Sequence, residues 1–249
     1  MTETEHIKPQ SKAKKKLPIW KRILLVLLAL VFILSALVAY AYSRYIYPTG
    51  EIMPGLYAVR NDNNGHPFVN FFLVQAGEKY IAFDAGTDSE QSQRALQSLG
   101  ISASDVVTVF VTHSDYDHIG SLDLFYNATL YTGITEFQYA QRARGLNLPD
   151  FELPDMPHQI MADGEIIELY GRSIQTIYTA GHTSDSVSFL VDGRYLFVGD
   201  LFVNPNFAYY DRELQIYYQE KVLKIDSVEY VFTAHFGLFR NVRFFRWWF

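Results

Sequence analysis

The chain has 249 residues, 49% of them hydrophobic, with 15 Gly and 9 Pro, which excludes collagen-like and disordered chains and allows one domain of about 200 residues plus an appendage. It contains no Cys, which excludes disulfides, a thiolate zinc site, a thiol nucleophile and a lipid anchored through Cys, so any metal must rely on His and carboxylates. The net charge of −6 divides into +5 over residues 1–22 and −11 over the rest, and so acidic a body argues against nucleic acid as a partner.

Residues 1–22 carry seven Lys or Arg against Glu3 and Glu5 and read as a basic cytoplasmic segment. Residues 23–43 follow without one charged side chain, 21 residues that span the roughly 30 Å hydrocarbon layer as a helix. Lys14, Lys15, Lys16, Lys21 and Arg22 crowd its front and Arg44 alone stands close behind, so the bias keeps the amino terminus in the cytoplasm and puts the body outside. Ala39-Tyr40-Ala41 resembles a signal-peptide cleavage site, but the apolar run before it is longer than the roughly 7–15 residues usual there. A retained single-pass anchor is the reading.

Residues 44–249 form the body. Glu51 to Arg60 and Phe68 to Gln75 read as a hairpin around the turn-forming run 61–65, and Lys79 to Phe83 as a strand ending in Asp84-Ala85-Gly86-Thr87. Asp88 to Leu99 has Ala95, Leu96 and Leu99 on one helical face, with Gly100 as its stop. Val106 to Val111 is a strand of the buried kind. A helix around 134–144, a Pro-interrupted linker over 145–158, and strands near 165–169, 173–178, 186–191 and 195–198 follow, then a helix near 211–224 and a strand near 230–233. Strands interleaved with helices make the fold α/β.

Directly after the buried strand, Thr112-His113-Ser114-Asp115-Tyr116-Asp117-His118-Ile119-Gly120 packs five potential metal or proton ligands into nine residues. Alternate side chains on an extended segment project to one side, and His118 adds a donor at the end, enough for two adjacent cations. Gly181-His182-Thr183, Gly199-Asp200 and Ala234-His235-Phe236-Gly237 each follow another strand. Together His113, Asp115, Asp117, His118, His182, Asp200 and His235 supply imidazole and carboxylate for two metal ions.

From about Glu51 to Gly237 the sequence resembles the metallo-β-lactamase superfamily: Met53-Pro54-Gly55-Leu56-Tyr57, Asn70 before an apolar strand, Phe83-Asp84-Ala85-Gly86, and then the cluster followed by single His, Asp and His. The resemblance implies a four-layer αβ/βα sandwich with the metals at one edge. It implies a first metal on His113, Asp115 and His182, a second on Asp117, His118 and His235, Asp200 bridging them, and Asp84 supporting the metal loop by hydrogen bonds. Zn comes first as the metal, and Mn or Fe enter because Asp115 stands where the HxHxDH pattern has its second His. Ser121 replaces a frequent second Gly, and Ser184-Asp185 a frequent Pro-Gly, the latter adding negative charge at the mouth.

The implied activity is a metallo-hydrolase that uses a metal-activated water, oriented by Asp117, on an ester, lactone, amide or thioester of a small molecule outside the cytoplasm. No Gly-x-Ser-x-Gly elbow competes with it. The alternatives are a diiron redox protein of the same fold, since flavodiiron relatives carry a carboxylate at the position of Asp115, and a membrane-tethered binding module without turnover. Substrate choice is expected in loops 61–67, 145–158 and 204–211. The tail 236–249, with three Arg and seven aromatic residues, suits either a membrane interface or a final strand.

Overall fold

The computed structural model of the full chain describes residues 18–45, 48–63, 66–133, 154–203, 210–235 and 237–240. The chain divides into two compact units, residues 1–43 and 44–249.

The described part of the first unit is helical: α1 runs Ile19–Tyr45, its last two residues falling in the second unit. Its window Ile19–Val38 is, among the described residues, the one helix long and apolar enough to cross a membrane. It is apolar on every side, with Leu24, Val31, Phe32 and Leu34 all exposed, so it lacks the polar stripe of a helix that rests on a soluble core. The basic run at 14–16 lies outside the described residues.

The second unit is built on two sheets. The first has the order β1 (Gly50–Met53), β2 (Leu56–Asn63), β3 (His66–Ala76), β4 (Lys79–Phe83), β5 (Val106–Phe110), β6 (Thr129–Thr132) and β7 (His158–Ile160). Its first four strands pair antiparallel and β4 to β7 pair parallel. The second sheet has the order β13 (Gly237–Arg240), β12 (Tyr230–Thr233), β11 (Tyr195–Phe197), β10 (Val187–Val191), β9 (Arg172–Tyr178) and β8 (Ile166–Leu169). Here β11 and β12 are parallel and the other neighbours antiparallel, so β9, β11 and β12 all run in one direction.

Strict alternation in the central strands makes the layers. Phe72, Val74, Ile81, Phe83 and Phe110 meet Phe189, Val191, Phe197 and Phe232 in a core between the sheets. Their neighbours Phe71, Leu73, Ala82 and Val109 face the other way, onto Leu96 of α2 (Ser89–Ser98) and onto Leu122 and Phe125. On the second sheet Leu190, Leu196 and Val231 face outward onto Val222 and Leu223 of the helix Arg212–Leu223, here α4. Helix, sheet, sheet and helix give the αβ/βα sandwich expected from sequence. A stack of rings runs through its middle: Phe83 lies 4.1 Å from Phe197 across the sheets, Phe110 follows on one side and Phe232 on the other. Each buried Phe contributes about 1.5–3 kcal/mol by leaving water.

The helix limits follow from local chemistry. Asp88 caps α2 by accepting the Gln91 N–H at 2.8 Å, and Asp211 caps α4 through Leu214 N–H at 2.9 Å.

Several expected elements need correction. The stretch 51–60 is two strands, because Pro54-Gly55 forms a tight turn with Gly55 at φ 72°. The strand β2 continues through Asn61, which is buried rather than part of a solvated turn. The strands β6 and β7 and the four-residue helix α3 (Tyr116–Ile119) have no counterpart in the sequence reading, and His158 starts β7 rather than closing a linker. The helix expected at 134–144, linker residues 145–153, loop residues 204–209 and the tail 241–249 lie outside the described residues. Within the tail, Gly237–Arg240 is the edge strand β13.

Candidate metal centre

All seven residues singled out from sequence converge at one edge of the sandwich, beyond the carboxyl ends of strands running in matched directions. His113 follows β5, Asp115 stands immediately before α3 with its side chain making no capping bond to the helix, and Asp117 and His118 lie within it. His182, Asp200 and His235 follow β9, β11 and β12 of the other sheet. Four donors therefore come from one sheet and three from its partner.

The distances resolve into two groups with a shared member. Asp115 Oδ2 stands 3.5 Å from His113 Nε2 and 3.1 Å from His182 Nε2. Asp117 approaches His118 Nε2 at 3.9 Å and His235 Nε2 at 3.4 Å. Between them, Asp200 turns Oδ2 to His182 at 3.5 Å and Oδ1 to His118 and His235 at 3.4 and 3.3 Å. The donor atoms of His113, Asp115 and His182 lie within 4.8 Å of one another, as do those of Asp117, His118 and His235, and those of His113, His118 and Asp200.

Three imidazoles are oriented from behind. His118 Nδ1 donates to Asp84 Oδ2 at 2.9 Å. His113 Nδ1 donates to Thr112 Oγ1 at 3.1 Å, and that hydroxyl donates in turn to Asp84 at 2.9–3.0 Å. His235 Nδ1 donates to the Phe68 carbonyl at 2.8 Å. Fixing each Nδ1–H outward turns each Nε2 into the gap, the arrangement by which supporting partners set the tautomer of a metal-binding His. Asp84 itself sits at φ 64°, a left-handed conformation that Asp adopts more readily than most residues. The resemblance implies a supporting role for Asp84, and its carboxylate accepts from His118 directly and from the Thr112 hydroxyl that meets His113.

Residues that the sequence reading passed over complete the support. Thr112 links His113 to Asp84. Asn61 Oδ1 accepts from Thr87 N at 2.8 Å, Asp88 N at 3.3 Å and Ser92 Oγ at 2.9 Å, fastening the segment after Asp84. Glycines permit close approach: a Cβ on Gly199 would stand 2.3 Å from Thr112 Oγ1, and one on Gly120 2.2 Å from the Thr87 carbonyl. Neither Asn61 nor Thr112 carries a signal in sequence beyond its place beside a motif.

Burial and opposite charges contend in this cluster. Burial pushes His235 down, but the Asp200 carboxylate and hydrogen bonds to Asp117 and Asp200 outweigh it and raise the imidazole to about 10. Burial lowers His118 too, and Asp84, Asp200 and Asp117 lift it well above its ordinary value. Burial and the nearby His118 lower His113, while Asp115 and Asp200 more than restore it. Burial raises Asp115 and Asp200, yet paired imidazoles hold both carboxyls below their usual range: His113 and His182 act on Asp115, His235 and His118 on Asp200. Asp117 is also lowered, burial being overcome by His118 and His235. In this form protons on imidazole balance the carboxylates, the place a cation would take with release of protons.

The donor set fits divalent cations on one further observation. His113 Nε2, His118 Nε2 and Asp200 Oδ1 are buried and face the same gap, with opposite charges at 3.3–3.5 Å but no hydrogen bond of good geometry. Buried polar atoms of this kind are costly unless something satisfies them. A sequence profile of the metallo-beta-lactamase superfamily matches residues 64–235.

The chain belongs to the metallo-beta-lactamase superfamily.

Its relatives within the superfamily include a hydroxyacylglutathione hydrolase of Haemophilus ducreyi, 24% identical over 70% of this chain and 68% of that protein. An N-acyl homoserine lactonase of Agrobacterium fabrum is 32% identical over 39% of this chain and 40% of that protein. The chain spans about half or less of the length of most of the curated relatives it matches. Among solved structures, a metallo-beta-lactamase family protein of Thermus thermophilus aligns with TM-score 0.63 at 22% identity, covering 77% of each chain. A flavo di-iron protein mutant of Thermotoga maritima aligns with TM-score 0.62 at 14% identity, over 79% of this chain and 58% of that one. These two likenesses show the fold.

Proposed function

We propose that the centre holds two divalent cations, one on His113, Asp115 and His182, the other on Asp117, His118 and His235, with Asp200 shared. On this reading the protein hydrolyses an ester, lactone, thioester or amide of a small molecule. The buried atoms His113 Nε2, His118 Nε2 and Asp200 Oδ1, which face one gap at 3.3–3.5 Å from opposite charges and make no well-formed hydrogen bond, carry the reading. When bound, such cations supply Lewis acidity at the substrate carbonyl and make water nucleophilic near neutral pH. Asp117 is the residue to orient the attacking water, one carboxylate oxygen remaining near His235. Asp115 adds a negative charge and a hard oxygen donor where an imidazole is usual in the pattern, so Mn and Fe stand beside Zn as candidates.

Substrate chemistry is constrained by charge. With two cations offsetting Asp115, Asp117 and Asp200, the remaining charge is that of Asp185, three residues after His182, which is proposed to disfavour strongly anionic substrates at the mouth. The names of the lactonase and the hydroxyacylglutathione hydrolase agree with ester-type bonds as the target. Asp115 and the flavo di-iron neighbour support a second reading, a diiron redox centre. For location, α1 behind its basic segment serves as a signal anchor that leaves the centre outside the cytoplasm, and the aromatic, Arg-containing residues 241–249 are proposed to lie at the bilayer surface.

The test is elemental analysis of the full chain, purified in detergent without chelator, with turnover of chromogenic ester, lactone, thioester and lactam compounds on the same sample. Two equivalents of Zn or Mn with turnover support the hydrolase. Two equivalents of Fe without hydrolysis transfer the assignment to the redox reading, metal without either activity leaves a binding module, and absence of metal overturns the centre.

A further inference from the structure

The buried face of α4 opens with two glutamines, Gln215 and Gln219, where an apolar pair would serve a core equally well. Gln215 is fully buried. Its Nε2 donates to the carbonyls of Leu201 and Val203 at 3.0 Å each and approaches that of Asp200 at 3.4 Å. Three backbone oxygens of the segment that carries Asp200 thus converge on one side-chain amide. The Val203 N–H turns back onto the Asp200 carbonyl at 3.0 Å, so the segment is a tight turn held from outside by the helix.

The backbone of the same residue governs another donor. Gly181, immediately before His182, packs so closely against it that a Cβ would stand 2.4 Å from Gln215 Cα. The Asp211 N–H, at the cap of α4, donates to the Gly181 carbonyl at 2.9 Å. One helical turn therefore fixes the residues carrying His182 and Asp200, which come from different strands and approach each other at 3.5 Å.

We infer that Gln215 is a positioning residue for the centre, whose amide sets the carboxylate shared by both donor groups and whose backbone sets His182. The inference rests on the metal-centre reading and assigns a role to a side chain that touches neither cation nor substrate. Gln219 provides the internal comparison. It lies on the same face and donates to the Leu201 carbonyl at 2.7 Å, but no contact to Asp200 is among its hydrogen bonds.

The experiment uses the full chain in detergent, with Co²⁺ titrated against a competing chelator and followed by its visible absorption, alongside thermal melting. Gln215→Met keeps the length and removes the donors. Its Co²⁺ affinity is expected to fall by about tenfold to a hundredfold, the range for loss of a partner that orients a ligand, with an altered absorption spectrum. Gln219→Met is expected to lower the melting temperature comparably while holding Co²⁺ affinity within about twofold of the parent, below that range. Should Gln215→Met fail to fold, Gln215→Asn keeps the amide one methylene short and is expected to show the same spectral change with a smaller loss of affinity. Parent-like affinity and spectrum in the folded Gln215 variant overturn the role, as does an equal loss in Gln219→Met. A parent chain that binds no Co²⁺ instead overturns the metal centre itself, and the role of Gln215 falls with it.

Discussion

At the scale of single residues, the centre depends on groups that touch no substrate. Asp84 accepts from Thr112 and His118 while its backbone holds a left-handed conformation that Asn also tolerates. Asp84→Asn is therefore expected to fold and to lose about tenfold to a hundredfold in cation affinity, measured by chelator competition. Protonation gives a second prediction. In metal-free protein the stabilising contribution of His235 is complete below its unfolded value of 6.5 and lost as pH rises through about 10. That of Asp115 is complete above its unfolded value of 3.8 and lost as pH falls toward its depressed folded value. Melting temperature without metal should thus be highest between these two unfolded values and decline on the alkaline side, whereas saturating Zn²⁺ or Mn²⁺ should remove that decline. An alkaline decline unaffected by metal would contradict the assignment of His235. All seven candidate donors were legible in the sequence, because imidazole and carboxylate announce their chemistry by residue type. Thr112, Asn61 and Gln215 were not, because a hydroxyl or amide gains its role only from the backbone groups that folding brings to it.

At the scale of elements, legibility followed length and pattern. The long strand β3 alternates between two cores, and α2 and α4 carry Asp caps, so their positions were readable to within about two residues. The strands β6 and β7 have four and three residues, and α3 four, too short for any periodicity to register. The turn at Pro54-Gly55 was hidden inside a run of strand-forming residues, and Asn61 resembled a turn former because its burial depends on Thr87, Asp88 and Ser92. Close approach between elements yields a third prediction. Gly199 stands at φ 51° between β11 and Asp200, and a Cβ there would meet Thr112 Oγ1 at 2.3 Å. Gly199→Ala should lower stability by about 1–3 kcal/mol, seen in denaturant titration, and weaken cation binding because Thr112 must yield.

At the scale of the whole molecule, an apolar helix and a metallo-beta-lactamase body occupy one chain. The full chain should remain with membranes after alkaline carbonate extraction, and a chain starting at residue 44 should not. The lack of Cys makes sidedness measurable: Gln97→Cys on the exposed face of α2 should react with an impermeant maleimide added to intact cells if the body lies outside. Within the body, the donors are divided between the two sheets, and backbone hydrogen bonds from Val187 N to Thr112 O and from Asn70 N to Ala234 O, each 2.9 Å, close the seam at the same edge. The donors up to His118 emerge from the ribosome long before the rest, so the first group is complete only once Asp200 has been synthesised and the second only once His235 has. Cation uptake should therefore be a late event in folding, and a chain cut between β7 and β8 would reassemble from its halves more tightly with the ion than without it.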